Sequence, residues 1–181
     1  MVFVDKKALN KTRQEHEAAL VFPVGEPNEA YAKYFSGASY LAALSKEQVG
    51  IYNVTFEPGC RNNWHIHHAA KGGGQILVCV AGRGFYQEWG KEAVELNPGD
   101  CINIAAGVKH WHGAAPESWF SHLAIEVPGE DTSNEWLEPV AEEEYAKLKG
   151  EEELDIDKVM NAVIMHQSIN DGWPYGTMKE Y

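Results

Sequence analysis

Five of the eight histidines stand in two compact groups, Trp64-His65-Ile66-His67-His68 and His110-Trp111-His112. Neutral imidazole is the commonest protein ligand for transition metals. Both groups lie in stretches that read as strand, where side chains at i and i+2 share a face, so His65 projects with His67 and His110 with His112. One His-x-His on its own more often decorates a solvated strand. Two in a small β domain point to imidazoles converging on one ion, because a barrel interior brings ligands from separate strands to one point without relying on mobile loops.

The elements that must position these groups are β-rich. Runs at Tyr40 to Leu44, Val49 to Phe56, Gln75 to Ala81, Gly84 to Trp89, Ala93 to Leu96, Cys101 to Ile104 and Trp119 to Val127 are short. Turn signals such as Glu57-Pro58-Gly59, Ala81-Gly82-Arg83-Gly84 and Asn97-Pro98-Gly99-Asp100 punctuate them. That is the pattern of an all-β sandwich or barrel. Before it, Asp5 to Leu20 reads as a short helix ended by Phe22-Pro23-Val24-Gly25-Glu26-Pro27. After Pro128-Gly129 the composition turns acidic and helical, with Pro139 to Lys149 expected as one helix closed by Gly150. Ile156, Val159, Met160, Val163 and Ile164 then make one apolar stripe, suited to cap the barrel or to dock on another subunit. The expected organisation is a helix and arm over 1–37, a barrel over 38–128, and a helical extension and tail over 129–181.

Composition narrows the partners. A chain of 181 residues with 44% hydrophobic and 23% charged residues suits one well-buried domain plus an appendage. A formal charge of -12, with no basic cluster, argues against nucleic acid. Three widely spaced cysteines, Cys60, Cys79 and Cys101, suit a reducing compartment, so the cytoplasm is expected. Neither a signal-like start nor an apolar run of about 20 residues is found, so no membrane partner is expected.

Gly59, five residues, His65-Ile66-His67, then Gln75, six residues and Gly82 resemble the first motif of the cupin family. Gly99, five residues, Ala105-Ala106-Gly107, two residues and His110 resemble the second. The resemblance spans roughly Val49 to Val127 and implies a double-stranded β-helix, the jelly-roll barrel of that family, with a short N-terminal helix and a C-terminal helical extension. It also implies one divalent metal ion on His65, His67 and His110, with Gln75 where the family usually has glutamate. Lys71-Gly72-Gly73-Gly74 lengthens the gap before Gln75, and Ala105 and Ala114 stand where proline and asparagine are common. With the glycine run bulging outward, Gln75 opens the next strand and faces inward. Without the bulge, a water takes its place. Three imidazoles and an amide leave the ion's charge uncompensated, which favours a Lewis acid.

Gln75-Ile-Leu-Val, Gly84-Phe85-Tyr86-Gln87-Glu88-Trp89, Gly107-Val108-Lys109-His110-Trp111-His112-Gly113-Ala114 and Ser121-His122-Leu123-Ala124-Ile125-Glu126 are similar to a narrower subgroup of small bacterial cupins. It includes manganese-dependent hydroxynitrile lyases and cupins related to carboxymuconolactone decarboxylases. This implies manganese, with iron, nickel or zinc as alternatives, and lyase-type chemistry on a small organic molecule. The ion would polarise a hydroxyl or carbonyl oxygen while His112 or His122 moves the proton. A metal-dependent dioxygenase and a non-enzymatic small-molecule-binding cupin stay open beside it. His16, His68 and His166 read as solvated side chains. Trp64 and Trp111 neighbour ligands and so point to the opposite face, towards outer-sheet packing or a dimer interface, and a homodimer is expected.

Overall fold

The computed structural model describes residues 10–148. The longer strands are β1 Ser39–Ser45, β2 Ile51–Phe56, β3 His65–His68, β4 Gln75–Gly82, β5 Gly84–Glu88, β6 Val94–Leu96, β7 Cys101–Ile104, β8 Lys109–Ala114, β9 Phe120–Glu126 and β10 Ser133–Trp136. One antiparallel sheet runs in the order Glu26–Pro27, β1, β2, β9, β4, β7. The other runs β6, β5, β8, Arg61–Asn62, Phe35–Ser36, and β3 joins it between β8 and β10. The expected all-β double-stranded β-helix is what the chain forms. Every strand expected from the sequence is present within a residue or two of its expected ends.

Alternation decides which face each strand buries. In β4 the buried Gln75, Leu77, Cys79 and Ala81 alternate with half-buried neighbours up to the buried Gly82, so the period of two carries Gln75 onto the inner face. Between the sheets, Val54, Phe56, Leu77, Tyr86, Leu96, Ile104 and Phe120 form the main core. Gly82 closes the turn after β4 at φ +70°, where an added Cβ would lie 1.8 Å from the Trp119 carbonyl oxygen, so no larger residue fits there.

A second apolar cluster lies outside the β3–β5–β8 sheet. Trp64, Phe85, Trp111 and Ala115 are covered there by Val140 and Tyr145. Tyr145 belongs to a short helix α2, Glu142–Tyr145, which runs on as a 3-10 turn over Ala146–Leu148. The helix expected over 139–149 thus starts later, at Glu142, with Val140 buried before it and its carbonyl accepting from Arg61 at 3.4 Å. Tyr145 donates its hydroxyl to the Ala114 carbonyl at 2.6 Å, and Arg61 lies 4.1 Å over its ring while pairing with Glu142 at 2.6 Å.

The N-terminal helix α1 spans Arg13–Ala19, with Thr12 and Glu15 forming a reciprocal cap, so it starts well inside the expected 5–20. Its His16 corrects an expectation. Rather than being solvated it is fully buried, accepting from Asn10 Nδ2 at 3.0 Å on Nδ1 and donating from Nε2 to Ser121 Oγ at 2.7 Å. His68, as expected, stays near the surface, paired with Glu135 at 2.7 Å. Two strands follow the boundary expected at 128, Gly129–Glu130 and β10. The apolar stripe of 156–164, His166 and the tail lie outside the described residues. Among the described residues no helix is long and apolar enough to cross a membrane.

Candidate metal centre

Strands β3 and β8 pair with His110 opposite His65, which brings both His-x-His segments to one place on the inner face. The His65 and His110 ring centroids are 4.1 Å apart, His65 and His67 5.1 Å, and His67 and His110 5.4 Å. One nitrogen from each ring lies within 4.8 Å of the others, a spacing suited to a shared ion.

The other nitrogen of each ring is already committed. His65 donates Nδ1–H to the Asn63 carbonyl at 3.0 Å, His110 to the Val108 carbonyl at 2.9 Å, and His67 to Asn134 Oδ1 at 2.7 Å. Each bond fixes a tautomer whose Nε2 lone pair is free for a ligand. Nε2 of His67, Nε2 of His110 and Oε1 of Gln75 are buried with no hydrogen-bond partner. Unsatisfied buried acceptors are costly, and an ion held by the three histidines would relieve that cost, with Gln75 lining the same cavity as His65 and His67. The residues therefore fit a divalent cation.

Burial keeps these imidazoles neutral and able to ligate. It pushes His65 well below the usual histidine range, with His110 and His67 adding to the effect. His110 is brought down to about 4, mainly by burial. His67 is lowered by burial too, against the opposing hydrogen bond to Asn134.

Gln75 reaches the site as the outward bulge requires. Gly72, Gly73 and Gly74 all take positive φ, and Lys71–Gly72 pairs with Gly129–Glu130 in a small separate ladder. A Cβ on Gly74 would lie 2.2 Å from the Ile104 carbonyl oxygen, so glycine is required where the loop rejoins β4.

Deeper in the barrel, His112 on β8 and His122 on β9 meet with His122 Nε2 and His112 Nδ1 3.1 Å apart. Both rings are buried, and burial is the main force holding both below the normal histidine range, His122 at about 4. Asn62 clamps His112 from two sides, donating Nδ2–H to Nε2 at 3.1 Å and accepting from the His112 backbone N–H at 3.0 Å. Between His112 and solvent lies a cavity of about 220 Å³. Phe35, Leu41, Val54 and Trp136 supply apolar wall, and His65, His67, Gln75 and His112 line its polar side.

The structure thus brings His65, His67, Gln75 and His110 together and sets His112 and His122 beside them as a bonded pair. Sequence reasoning missed Asn62, Asn134 and Trp136. Trp136 stacks on His65 at 4.7 Å and on Tyr34 at 4.6 Å. The polar, four-residue β10 carries no β-branched residue, so its one legible signal was the alternation of Asn134 and Trp136. Trp64 and Trp111 do face away from the site, into the cluster under Val140 and Tyr145.

The family model described as a cupin domain matches residues 52–119. Over 95 residues the chain is 42% identical to the (R)-mandelonitrile lyase of Granulicella tundricola, a match spanning 52% of this chain and 70% of that enzyme. A cupin-like protein from Thermotoga maritima superposes with a TM-score of 0.63 at 37% identity, covering 72% of this chain and 97% of that one. A cupin 2 conserved barrel domain protein from Rhodopseudomonas palustris shares the fold with a TM-score of 0.52 at 15% identity, over 68% of this chain and 88% of its own.

Proposed function

Because the chain belongs to the cupin family, we propose that it is a metal-dependent lyase that cleaves or forms a carbon–carbon bond beside a hydroxyl or carbonyl oxygen of a small organic molecule. The observation that carries this reading is the set of buried, unpartnered atoms, Nε2 of His67 and His110 with Oε1 of Gln75, next to a bonded His112–His122 pair. His65, His67, Gln75 and His110 would hold one divalent ion, manganese in first place, with iron, nickel and zinc as alternatives. When bound, the ion supplies positive charge that stabilises negative charge on a substrate oxygen.

The remaining work falls to the protein. In cleavage of an α-hydroxynitrile, the hydroxyl proton passes to the His112–His122 pair. The O–H electrons become the new C=O bond, and the carbon–carbon bond breaks with its electrons on the departing nitrile carbon. The pair then returns the proton to that carbon, so charge and atoms balance. Asn62 fixes the orientation of His112 throughout. The apolar walls at Phe35, Leu41, Val54 and Trp136 exclude water and suit a compact, largely apolar substrate. The mandelonitrile lyase relative supports this substrate class, and free Cys60, Cys79 and Cys101 support a reducing, cytoplasmic setting. In a homodimer, exposed Trp89 and Val94 on the β5–β6 side would be covered, and sedimentation velocity tests that assembly.

The test is metal analysis of protein purified without added metal, followed by mandelonitrile turnover before and after chelation. Near-stoichiometric metal and chelator-sensitive release of aldehyde and cyanide are expected. Absence of any metal uptake would sink the metal reading. Bound metal with oxygen consumption on a diketone or catechol, and no cyanide release, would favour the dioxygenase. Bound metal with neither activity would favour the binding module.

A further inference from the structure

The three histidines at the metal centre are oriented by two different devices. His65 and His110 each donate Nδ1–H to a backbone carbonyl two residues earlier in the chain, that of Asn63 and Val108. His67 instead donates to a side chain, Asn134 Oδ1, which arrives from β10. Across the β3–β10 ladder Asn134 stands opposite His67 and Trp136 opposite His65. Directly opposed residues of an antiparallel pair interact on one face, so β10 offers each histidine of the His-x-His segment its own partner, an amide at 2.7 Å and an indole at 4.7 Å. Asn134 and Trp136 also line the cavity. None of this strand falls within residues 52–119, where the family model matches.

We propose that Asn134 is a positioning residue that sets how tightly this centre holds its ion, acting through the tautomer and orientation of His67. The inference rests on the metal-binding reading of the site. A backbone carbonyl moves only with the barrel, whereas Asn134 is an exposed side chain on a short strand, so its acceptor is open to change without rebuilding a core strand. As a neutral amide it fixes the ring without adding negative charge. A carboxylate in its place would keep the acceptor and pass charge to His67, which raises the basicity of the ligand.

The experiment uses the full chain and Mn(II), with affinity measured by chelator competition. Long-range proton–nitrogen spectra of the histidine rings in the metal-free protein report the tautomers directly. Asn134→Ala should weaken Mn(II) binding by about 10–100-fold and convert His67 from a single Nδ1–H tautomer to a mixture, with the other rings and the melting temperature of the metal-free protein little changed. Asn134→Asp should restore the single tautomer and bind Mn(II) at least as tightly as the wild type. Wild-type affinity and an unchanged His67 spectrum in Asn134→Ala would overturn the inference while leaving the metal centre intact. Failure of Asn134→Asp to recover affinity, in a variant that keeps its fold, would also overturn it. A wild type that takes up no Mn(II) or other divalent ion would bring down the metal reading itself, which is a different and visible result.

Discussion

On the outer face of β8, Trp111 donates its indole N–H to Gln87 Oε1 at 2.8 Å and is sealed beneath Tyr145 and Val140. On the inner face of the same strand, one residue earlier, His110 leaves Nε2 buried and without a partner. Burial is complete for both side chains, and the difference lies in what burial achieves. A large apolar ring with its one donor satisfied contributes to stability. An imidazole with an idle lone pair detracts from it, unless something the protein binds completes it. The strand therefore carries fold on one face and chemistry on the other, and the two should respond separately to substitution.

Removing a ligand is expected to have the largest effect. His110→Ala should lose all retained metal, read by elemental analysis, while the chain still melts cooperatively. His112→Ala comes next, keeping its metal but losing turnover by about 100- to 10,000-fold, in line with general acid–base contributions. Undiminished turnover would remove His112 from the proton pathway. On the other face, Trp111→Ala should cost about 3–5 kcal/mol in denaturant unfolding, as expected for a deleted core aromatic. Tyr145→Phe, which removes only the hydroxyl bonded to the Ala114 carbonyl, should cost about 1 kcal/mol and leave metal content untouched. A Trp111 variant that lost metal in step with stability would blur the division between the faces.

Acid should sharpen it. Burial brings His16, His110 and His122 down to about 4 from an ordinary value of 6.5. Between those values the unfolded chain binds more protons than the folded one. The stability of the metal-free protein should thus fall as pH drops from about 6.5 towards 4. His16→Gln should flatten that slope by up to one proton in denaturant titrations without altering metal content, because the bonds of His16 run to Asn10 and Ser121 and not to a metal ligand.

How much of this was legible depended on how locally each feature is encoded. The histidine pairs could be read because strand alternation alone puts i and i+2 on one face. The inward turn of Gln75 could be read because its spacing to Gly82 survives the glycine insertion. His16 could not be placed, since its burial depends on Ser121, more than a hundred residues away in sequence. Strand β10 was hidden because Ser-Asn-Glu-Trp has little intrinsic β preference and becomes a strand by pairing with β3. The late start of helix α2 reflects the same override, with Val140 drawn into the outer apolar cluster and bonded to Arg61 before the helix begins.

The seclusion of His112 and His122 bears on the fate of isotopes. Their shared proton has no direct contact with bulk water, and the cavity in front of His112 is the space that a substrate would fill. A proton passed from a bound hydroxyl to this pair is shielded from solvent while the substrate fills the cavity. The ring N–H of the pair should exchange with heavy water more slowly than that of the near-surface His68, and a filled cavity should slow it further, so that exchange rate would measure how closed this barrel is.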